Sequence, residues 1–145
     1  MDMTAPDSRL QGFEVLIGTW DSRAKHRLMD EVVAGSCSWE WLDGGHFIVH
    51  RTHYEHELLP DALCVIGAPE DGAGLVMEYF DTRGVRRTYT MALENGVLRY
   101  WRDHPGFDQR YSATLHPEAF EGMSQLAETP GEWMDDLAVT YRRRD

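Results

Sequence analysis

From about residue 19 to about residue 142, apolar and polar side chains alternate in short segments that are separated by Gly, Pro, Asn and Asp. A period of two places successive side chains on opposite faces, as in a β-strand with one buried face. About ten such segments follow one another, with no second helical pattern between them. The pattern predicts one continuous antiparallel meander, and a sheet of this length commonly removes its edges by closing on itself.

The residues before this meander follow a different spacing. The apolar positions recur at helical intervals and end at a glycine: Leu10, Phe13, Leu16, Ile17 and Gly18. We therefore predict a short amphipathic helix over about residues 6–17 that plugs one end of the sheet. The predicted fold class is all-β, a single antiparallel up-and-down β-barrel of about ten strands closed at one end by the helix. Residues 1–145 are expected to form one domain.

Three turn sequences predict the register of neighbouring strands. Gly44-Gly45 and Asn95-Gly96 suit two-residue hairpins that need positive φ, and Thr82-Arg83-Gly84 suits a three-residue hairpin. Residues that face each other across a hairpin share one face of the sheet. The predicted pairs are Trp39–His50, Trp41–Ile48, Tyr79–Arg87, Met91–Tyr100 and Leu93–Leu98. Carrying this parity around the sheet assigns an inner face to every strand.

The inner face that results is rich in aromatic side chains and holds two arginines. The predicted ligand-binding residues are Trp20, Trp39, Trp41, His50, Tyr54, Met77, Tyr79, Arg87, Tyr89, Tyr100, Arg102 and Tyr111. A buried guanidinium is costly unless it is paired. Either Arg87 and Arg102 hold an anionic group of a ligand while aromatic rings cover its apolar body, or their role is structural. In that second case one packs on Trp20 at a barrel end, and the other pairs with an inward acid or lies at the rim.

Composition narrows the classes of partner. The chain carries 25 acidic and 14 basic residues, a formal charge of −11, which argues against binding nucleic acids or anionic membranes. The basic run Arg142–Arg144 is interpreted as a solvated tail. Residues 1–7 lack the features of a secretory signal, and no apolar run approaches the ~18 residues of a membrane span. With two cysteines in no metal-type spacing, a reduced, cytoplasmic setting is expected.

Histidine and cysteine are the remaining candidates for chemistry. His50, His53 and His56 cannot chelate one ion from a regular strand, because His53 faces the other side and the outer two are roughly 20 Å apart. His50 is a candidate proton carrier or axial haem ligand, with a hydrogen-bonded wall residue as the alternative. Cys37 is interpreted as a small buried residue. No catalytic residue and no metal site is assigned.

Four segments, in order, resemble a family of small, mostly uncharacterised bacterial lipocalin-like proteins: Phe13–Trp20, Trp39–Phe47, Tyr79–Val85 and Asp136–Arg142. That family is related to the calycin group, which includes lipocalins, fatty-acid-binding proteins and nitrobindins. The resemblance implies a barrel with an internal cavity and no established reaction. Nitrobindins hold haem through a histidine near the C-terminal end, whereas this sequence has no histidine after His116. The resemblance therefore does not carry that haem site over.

The leading interpretation is non-catalytic binding of a small, mainly apolar ligand inside the barrel, with an anionic or aromatic group allowed for. One alternative is an isomerase or cyclase that uses His50 or a tyrosine as its acid–base group. Another is a haem protein of the nitrobindin kind, haem being the one cofactor for which the sequence leaves room. The last is a filled barrel that acts as an interaction module, such as a homodimer through a face with Phe47, Val49 and Phe80.

Overall fold

The computed structural model describes residues 7–70 and 72–144. Ten antiparallel strands form a closed barrel, in which each strand pairs with its neighbours along the chain and the first pairs with the last. The strands are β1 Gly18–His26, β2 Val33–Trp41, β3 Ile48–Tyr54, β4 Ala62–Gly67, β5 Leu75–Asp81, β6 Arg86–Glu94, β7 Val97–Arg102, β8 Asp108–Thr114, β9 Ala119–Ala127 and β10 Met134–Arg143. The predicted fold class is confirmed.

The N-terminal helix is present as a 3₁₀ helix over Ser8–Leu16. Leu10, Phe13 and Leu16 are completely buried, and a spacing of three places them along one side of a helix with three residues per turn. Pro6, where the predicted helix begins, lies outside the described residues. The buried side of the helix joins the main core and closes one end of the barrel. Within the described ranges, no helix has the length and apolarity that a membrane crossing requires.

The turns set the registers that the sequence predicts. The observed pairs are Trp39–His50, Trp41–Ile48, Tyr79–Arg87, Met91–Tyr100 and Leu93–Leu98. Asn95 (φ 53°) and Gly96 (φ 76°) both adopt positive φ, as a two-residue turn that matches the twist of its strands requires. The parity of the inner face is thereby fixed on β2, β3, β5, β6 and β7.

The C-terminal arginine run is not a solvated tail, because β10 extends to Arg143. The Arg143 guanidinium lies 4.3 Å from the centre of the Trp20 ring. It donates hydrogen bonds to the carbonyl oxygens of Ile17 (2.8 Å), Pro117 (2.7 Å) and Val15. The arginine that packs on Trp20 is therefore Arg143, and neither of the two arginines predicted to line the ligand site takes that role.

Gly18 leaves the space that Arg143 occupies. Its φ of 130° is one that other residues rarely adopt, and a Cβ there would lie 2.8 Å from Arg143 Nη1. Trp20 itself is completely buried and donates its indole N–H to the Leu16 carbonyl at 2.8 Å. Glycine, tryptophan and arginine thus join the helix to the first and last strands.

A β-bulge in β10 overturns one assignment of the inner face. The register between β9 and β10 shifts between Asp135 and Leu137, and an extra residue reverses side-chain parity on one side of the bulge. Simple alternation predicts Trp133 on the same face as Leu137. Instead Trp133 lies outside, where the guanidinium of Arg110 stands 3.9 Å from the centre of its ring.

Candidate functional site

The inner side of the barrel divides into two halves along its axis. Near the helix, large apolar side chains are packed as a core, and the fully buried ones are Leu10, Phe13, Leu16, Trp20, Ile48, Ile66, Met91 and Leu98. Toward the other end, inner positions carry tyrosine, histidine, glutamine and arginine, and many of these side chains are only partly buried. We call these the closed half and the open half. The open half is the candidate site.

Four tyrosines on neighbouring strands form a continuous aromatic wall in the open half. Tyr79 meets Tyr89 edge to face with ring centroids 6.2 Å apart, and Tyr89 meets Tyr100 in the same way at 5.1 Å. Tyr100 and Tyr111 are stacked, with centroids 4.6 Å apart and planes 14° from parallel. These are arrangements that the aromatic quadrupole favours. The wall runs from β5 to β8.

Tyr54, Tyr100 and Tyr141 lie deep in the barrel and nevertheless keep accessible surface. Burial raises the pKa of Tyr54 to about 12 and raises the pKa of Tyr100 and of Tyr141 well above the ordinary value. By accessible area, however, all three side chains are only partly buried. All three rings project inward from the sheet, so accessible surface on them means that the space beside them, which we call the hollow, is not completely filled by other side chains. At physiological pH, all three hydroxyls are protonated.

The other inner positions around this hollow carry small side chains. They are Ser22, Ala24, Gly35, Cys37, Ala62, Cys64, Gly122 and Ser124. Some of the space they leave is occupied by tyrosine rings. A Cβ on Gly122 would lie 2.1 Å from the Tyr111 hydroxyl oxygen, and one on Gly35 would lie 3.0 Å from the Tyr54 ring. The small residues therefore determine how far the rings enter the barrel, and with that the shape of the hollow.

Trp39 and His50 stack on the inner face, with ring centroids 3.6 Å apart and planes 16° from parallel. His50 Nδ1 lies 3.1 Å from the Ser38 carbonyl oxygen. Because a carbonyl can only accept, Nδ1 carries the proton and Nε2 keeps a lone pair. Burial lowers the pKa of His50 to about 4, against the opposing effect of this hydrogen bond. The ring is therefore neutral at physiological pH.

The indole N–H of Trp39 is an unusual feature of this stack. Among the residues that the structure describes, Trp39 Nε1 is the buried side-chain nitrogen or oxygen that has no hydrogen-bond partner. A buried donor without an acceptor costs about 1–3 kcal/mol. Nε1 has almost no accessible surface and lies beside the Cys37 thiol, a weak acceptor, so a ligand reaches it only if neighbouring side chains move.

At the open end, Arg87 and Arg102 form a cluster with Gln109. The Gln109 side-chain oxygen accepts from Arg87 Nη1 and from the Tyr89 hydroxyl, each at 3.2 Å. Arg87 also lies 5.4 Å from the centre of the Phe107 ring. Burial raises the pKa of Tyr89, and the positive charges of Arg87 and Arg102 act against it. Arg102 pairs with Gln109 between β7 and β8, so the alternation of its strand turns it to the same inner face.

Asp81, an acid on the inner face of the neighbouring β5, is already saturated by other donors. Its side chain has no exposed surface. One oxygen accepts from the Tyr79 hydroxyl (2.8 Å) and from Arg83 (2.7 Å), and the other accepts the backbone N–H groups of Arg83 and Val85. Burial pushes the pKa of Asp81 upward, but these donors outweigh burial and bring it to about 2. Asp81 thus stabilises the hairpin between β5 and β6.

The loop between β3 and β4 folds over one side of the open end. Leu59 in this loop is 8% exposed and packs against Ala24, Val33 and Val139, which belong to β1, β2 and β10. The contact covers that side of the opening. The mouth is therefore on the side of the partly exposed Arg87 and Arg102.

The structure places the predicted ligand-binding residues in two settings. Trp20, Trp41 and Met77 belong to the closed half: Trp41 donates to the Glu14 carboxylate at 3.1 Å, and Met77 is 3% exposed. Trp39 also packs toward the helix, with its ring centroid 6.0 Å from that of Phe13, and His50 is stacked on Trp39 at 3.6 Å. The others line the open half: Tyr54, Tyr79, Arg87, Tyr89, Tyr100, Arg102 and Tyr111. Gln109, Asp81 and Tyr141 also face this half and were not among the predicted site residues. Alternation already placed Gln109 and Tyr141 inside, so the signal was present in their parity.

His53 faces outward on β3, His56 lies in the loop that follows, and both pair with acids. His53 lies 3.0 Å from Asp61 and 3.2 Å from Glu55, and His56 lies 2.9 Å from Glu31. In the described part of the chain, no three His, Cys, Asp or Glu side chains are grouped so as to hold a metal ion. These pairs tie together the loops at the open end.

Neither of the two free cysteines has the character of a reactive thiol. Cys37 and Cys64 are both buried, and burial raises the pKa of each to about 12, so neither is a thiolate at physiological pH. On the outer face considered for self-association, Phe47 is 42% exposed but Val49 is only 7% exposed. Arg86 lies 5.6 Å from the centre of the Phe80 ring. Phe80 is paired with Leu63, which is 36% exposed, so part of this outer face is free apolar surface.

The fold is similar to that in the crystal structure of Rv2717c from M. tuberculosis, with a TM-score of 0.71. The two chains are 12% identical, and the alignment covers 97% of this chain and 100% of the other. At this level of identity, the likeness shows the fold alone. No family model matches the sequence, and no curated protein is similar to it.

Proposed function

We propose that the protein binds a small, flat, mainly apolar molecule in the open half of a lipocalin-like barrel. The observation that carries the proposal is the set of tyrosines, Tyr54, Tyr100 and Tyr141, that project inward from the sheet and still have accessible surface. Pockets for small molecules are concave, mostly apolar or aromatic, and contain a few polar groups at fixed positions. The open half has this composition.

The polar groups of the hollow indicate which atoms the ligand carries. The protonated hydroxyls of Tyr54 and Tyr100 are donors on side chains that keep accessible surface. A ligand with at least one acceptor oxygen on a flat ring system would bind these donors and stack against the aromatic wall. A simple alkane would leave the tyrosine donors unpaired and is expected to bind more weakly.

The first test uses the neutral probe N-phenyl-1-naphthylamine, whose fluorescence rises in an apolar site. We expect saturable binding together with quenching of tryptophan fluorescence. Replacing Trp39 by Phe should remove most of the quenching, because this indole faces the hollow. The matched variant Trp133→Phe should keep it, because Trp133 lies on the outer surface beside Arg110. Equal loss in both variants would place the probe outside the barrel.

A second test fills the hollow by replacing a small inner side chain with a large one. Ser124 lies opposite Tyr111 on the inner face of β9, and Met123 is its neighbour on the outer face. Ser124→Phe should abolish probe binding while the fold persists, and Met123→Phe should leave binding unchanged. Binding that survives Ser124→Phe in a folded protein would contradict the proposal. Independently of the variants, native mass spectrometry of protein purified from its own host would identify a ligand that the protein retains.

A second candidate function is acid–base catalysis on a bound metabolite, as in an isomerase. The observation that favours it is the orientation of His50: Nδ1–H is held by the Ser38 carbonyl, so Nε2 is free to accept a proton. Turnover that disappears in His50→Gln, with ligand affinity and folding retained, would support this candidate. Unchanged turnover in the variant would eliminate His50 from it.

The same Nε2 lone pair fits the donor that an axial haem ligand requires, with Nδ1 fixed by a backbone carbonyl. Haem binding through His50 is therefore a further proposal, by a route different from a C-terminal histidine. Addition of haem should then produce a Soret band that is lost in His50→Ala and kept in His53→Ala, because His53 faces outward. A band that persists in both variants would exclude His50.

A further inference from the structure

Arg87 and Arg102 face the mouth of the hollow without an acid to neutralise them. The chain has 25 acidic residues and only 14 basic ones, so acidic partners are not scarce. Even so, within residues 7–70 and 72–144 neither arginine takes part in an ion pair. Two inward-facing guanidinium groups on adjacent strands are a concentration of positive charge that no acid among the described residues pairs with.

The residues around Arg87 and Arg102 position the guanidinium groups without occupying all of their N–H donors. Gln109 takes one N–H of Arg87, and Phe107 lies beneath the same guanidinium. A guanidinium has five N–H donors, so most of those on Arg87 stay available. The inward acid of β5, Asp81, is already held by Tyr79 and Arg83 and cannot act as their counter-ion. The cluster is therefore preorganised for a group that comes from outside the chain.

We infer that Arg87 and Arg102, together with the Tyr89 hydroxyl, bind the carboxylate of the ligand. The inference rests on the proposed function, and it names the ligand class as an aromatic or otherwise flat apolar monocarboxylic acid. Its ring enters the hollow beside Tyr100, and its acid group stays at the mouth. Guanidinium groups match a planar carboxylate with two parallel hydrogen bonds. At the mouth the carboxylate keeps part of its hydration, which avoids the cost of burying it completely.

The experiment compares 2-naphthoate with its uncharged methyl ester, each displacing bound N-phenyl-1-naphthylamine. Charge-assisted hydrogen bonds of this kind correspond to a preference of about tenfold to hundredfold for the acid. Arg102→Gln and Arg87→Gln should each reduce this preference by about tenfold and leave affinity for the ester unchanged. Arg99→Gln and Arg86→Gln are matched controls on the outer faces of the same two strands, and they should keep it.

The outcomes separate the two proposals. If the neutral probe does not bind the unaltered protein, the proposed function fails. If the probe binds but acid and ester compete equally, the carboxylate site alone is wrong. A preference that survives Arg87→Gln and Arg102→Gln also overturns it. The preference in the unaltered protein should in addition shrink in about 1 M salt, where charges are screened within about 3 Å. That measurement needs no variant, so a misfolded variant would not leave the inference undecided.

Discussion

Each end of the barrel has an arginine lying on an aromatic ring, and the two arginines differ in what occupies their N–H groups. At the closed end, Arg143 lies 4.3 Å from the Trp20 ring and donates to the carbonyls of Val15, Ile17 and Pro117. At the open end, Arg87 lies 5.4 Å from the Phe107 ring and donates to one side-chain amide. One guanidinium is saturated by backbone, while the other keeps most of its donors free.

The comparison teaches how a structural arginine and a binding arginine differ on one scaffold. Backbone carbonyls belong to the fold, so bonds to them hold the helix, β1 and β10 together. A donor left free at the rim stabilises nothing until a ligand arrives. Residues that a site keeps unpaired in this way commonly lower the stability of the free protein. Stability and binding measurements should therefore separate the two ends.

The largest effect is expected at the closed end. Arg143→Ala removes three hydrogen bonds to carbonyls and the contact with Trp20, and we expect a loss of about 3 kcal/mol in the free energy of unfolding. Urea denaturation measures it directly. Arg142→Ala, next along β10 and exposed to solvent, is the control and should change stability by less than about 0.5 kcal/mol. Equal effects of the two variants would contradict the structural role of Arg143.

The hollow between the two ends should appear in the dependence of stability on pH. Burial lowers the pKa of His50 to about 4 from 6.5, so the unfolded chain binds a proton before the folded protein does. This contribution is present above pH 6.5 and is lost as the pH falls toward 4, by about 3 kcal/mol. Unfolding at a series of pH values should show a flatter profile in His50→Gln.

His53 is the control for this measurement, because its shift has the opposite sign. Hydrogen bonds that His53 donates to the Asp61 and Glu55 carboxylates raise the pKa of His53. Its stabilising contribution is therefore complete below its ordinary pKa and is lost as the pH rises through the raised value. His53→Gln should destabilise the protein at pH 5 more than at pH 8. A His50→Gln profile that parallels that of the unaltered protein would mean that the imidazole is hydrated.

Much of the fold could be predicted because local turn chemistry determines strand parity. Asn95-Gly96 and Gly44-Gly45 fix their hairpins to the residue, and the inner positions on the adjoining strands follow from alternation alone. For this reason Trp39, His50 and Arg87 could be placed on the inner face before any coordinates. The 3₁₀ helix was also encoded, in the spacing of three between Leu10 and Phe13 and between Phe13 and Leu16.

The remaining features depend on contacts between distant parts of the chain. Nothing near Arg143 in sequence indicates that its guanidinium reaches Pro117 or Trp20. The bulge at Asp136 shifts side-chain parity by one residue and places Trp133 on the outer face. The bulge itself contains no Gly or Pro that would indicate it in the sequence. The orphaned N–H of Trp39 and the saturation of Asp81 likewise result from packing. Alternation identifies the walls of the site, but it cannot say which of their polar groups are already satisfied.

A smaller effect is expected at Asp81, which has a structural role at the open end. The donors around its carboxylate bring its pKa to about 2 although burial opposes them. Asp81→Asn should lower stability by about 1 kcal/mol at neutral pH. In the unaltered protein this contribution is present above about pH 4 and is lost as the pH falls toward 2, and the variant should lack that loss. Asp103→Asn, an exposed change at the same end, should leave the profile intact.

The smallest effect on stability is expected where the proposed effect on binding is greatest. The double variant Arg87→Gln/Arg102→Gln removes two like charges that no acid offsets, so the free protein should change by less than about 0.5 kcal/mol or become more stable. Urea denaturation without and with 2-naphthoate measures both quantities in one series. Added acid should raise the stability of the unaltered protein by mass action and should raise that of the variant much less. A double variant as destabilised as Arg143→Ala would show that these arginines hold the fold, and the contrast between the two ends would be lost.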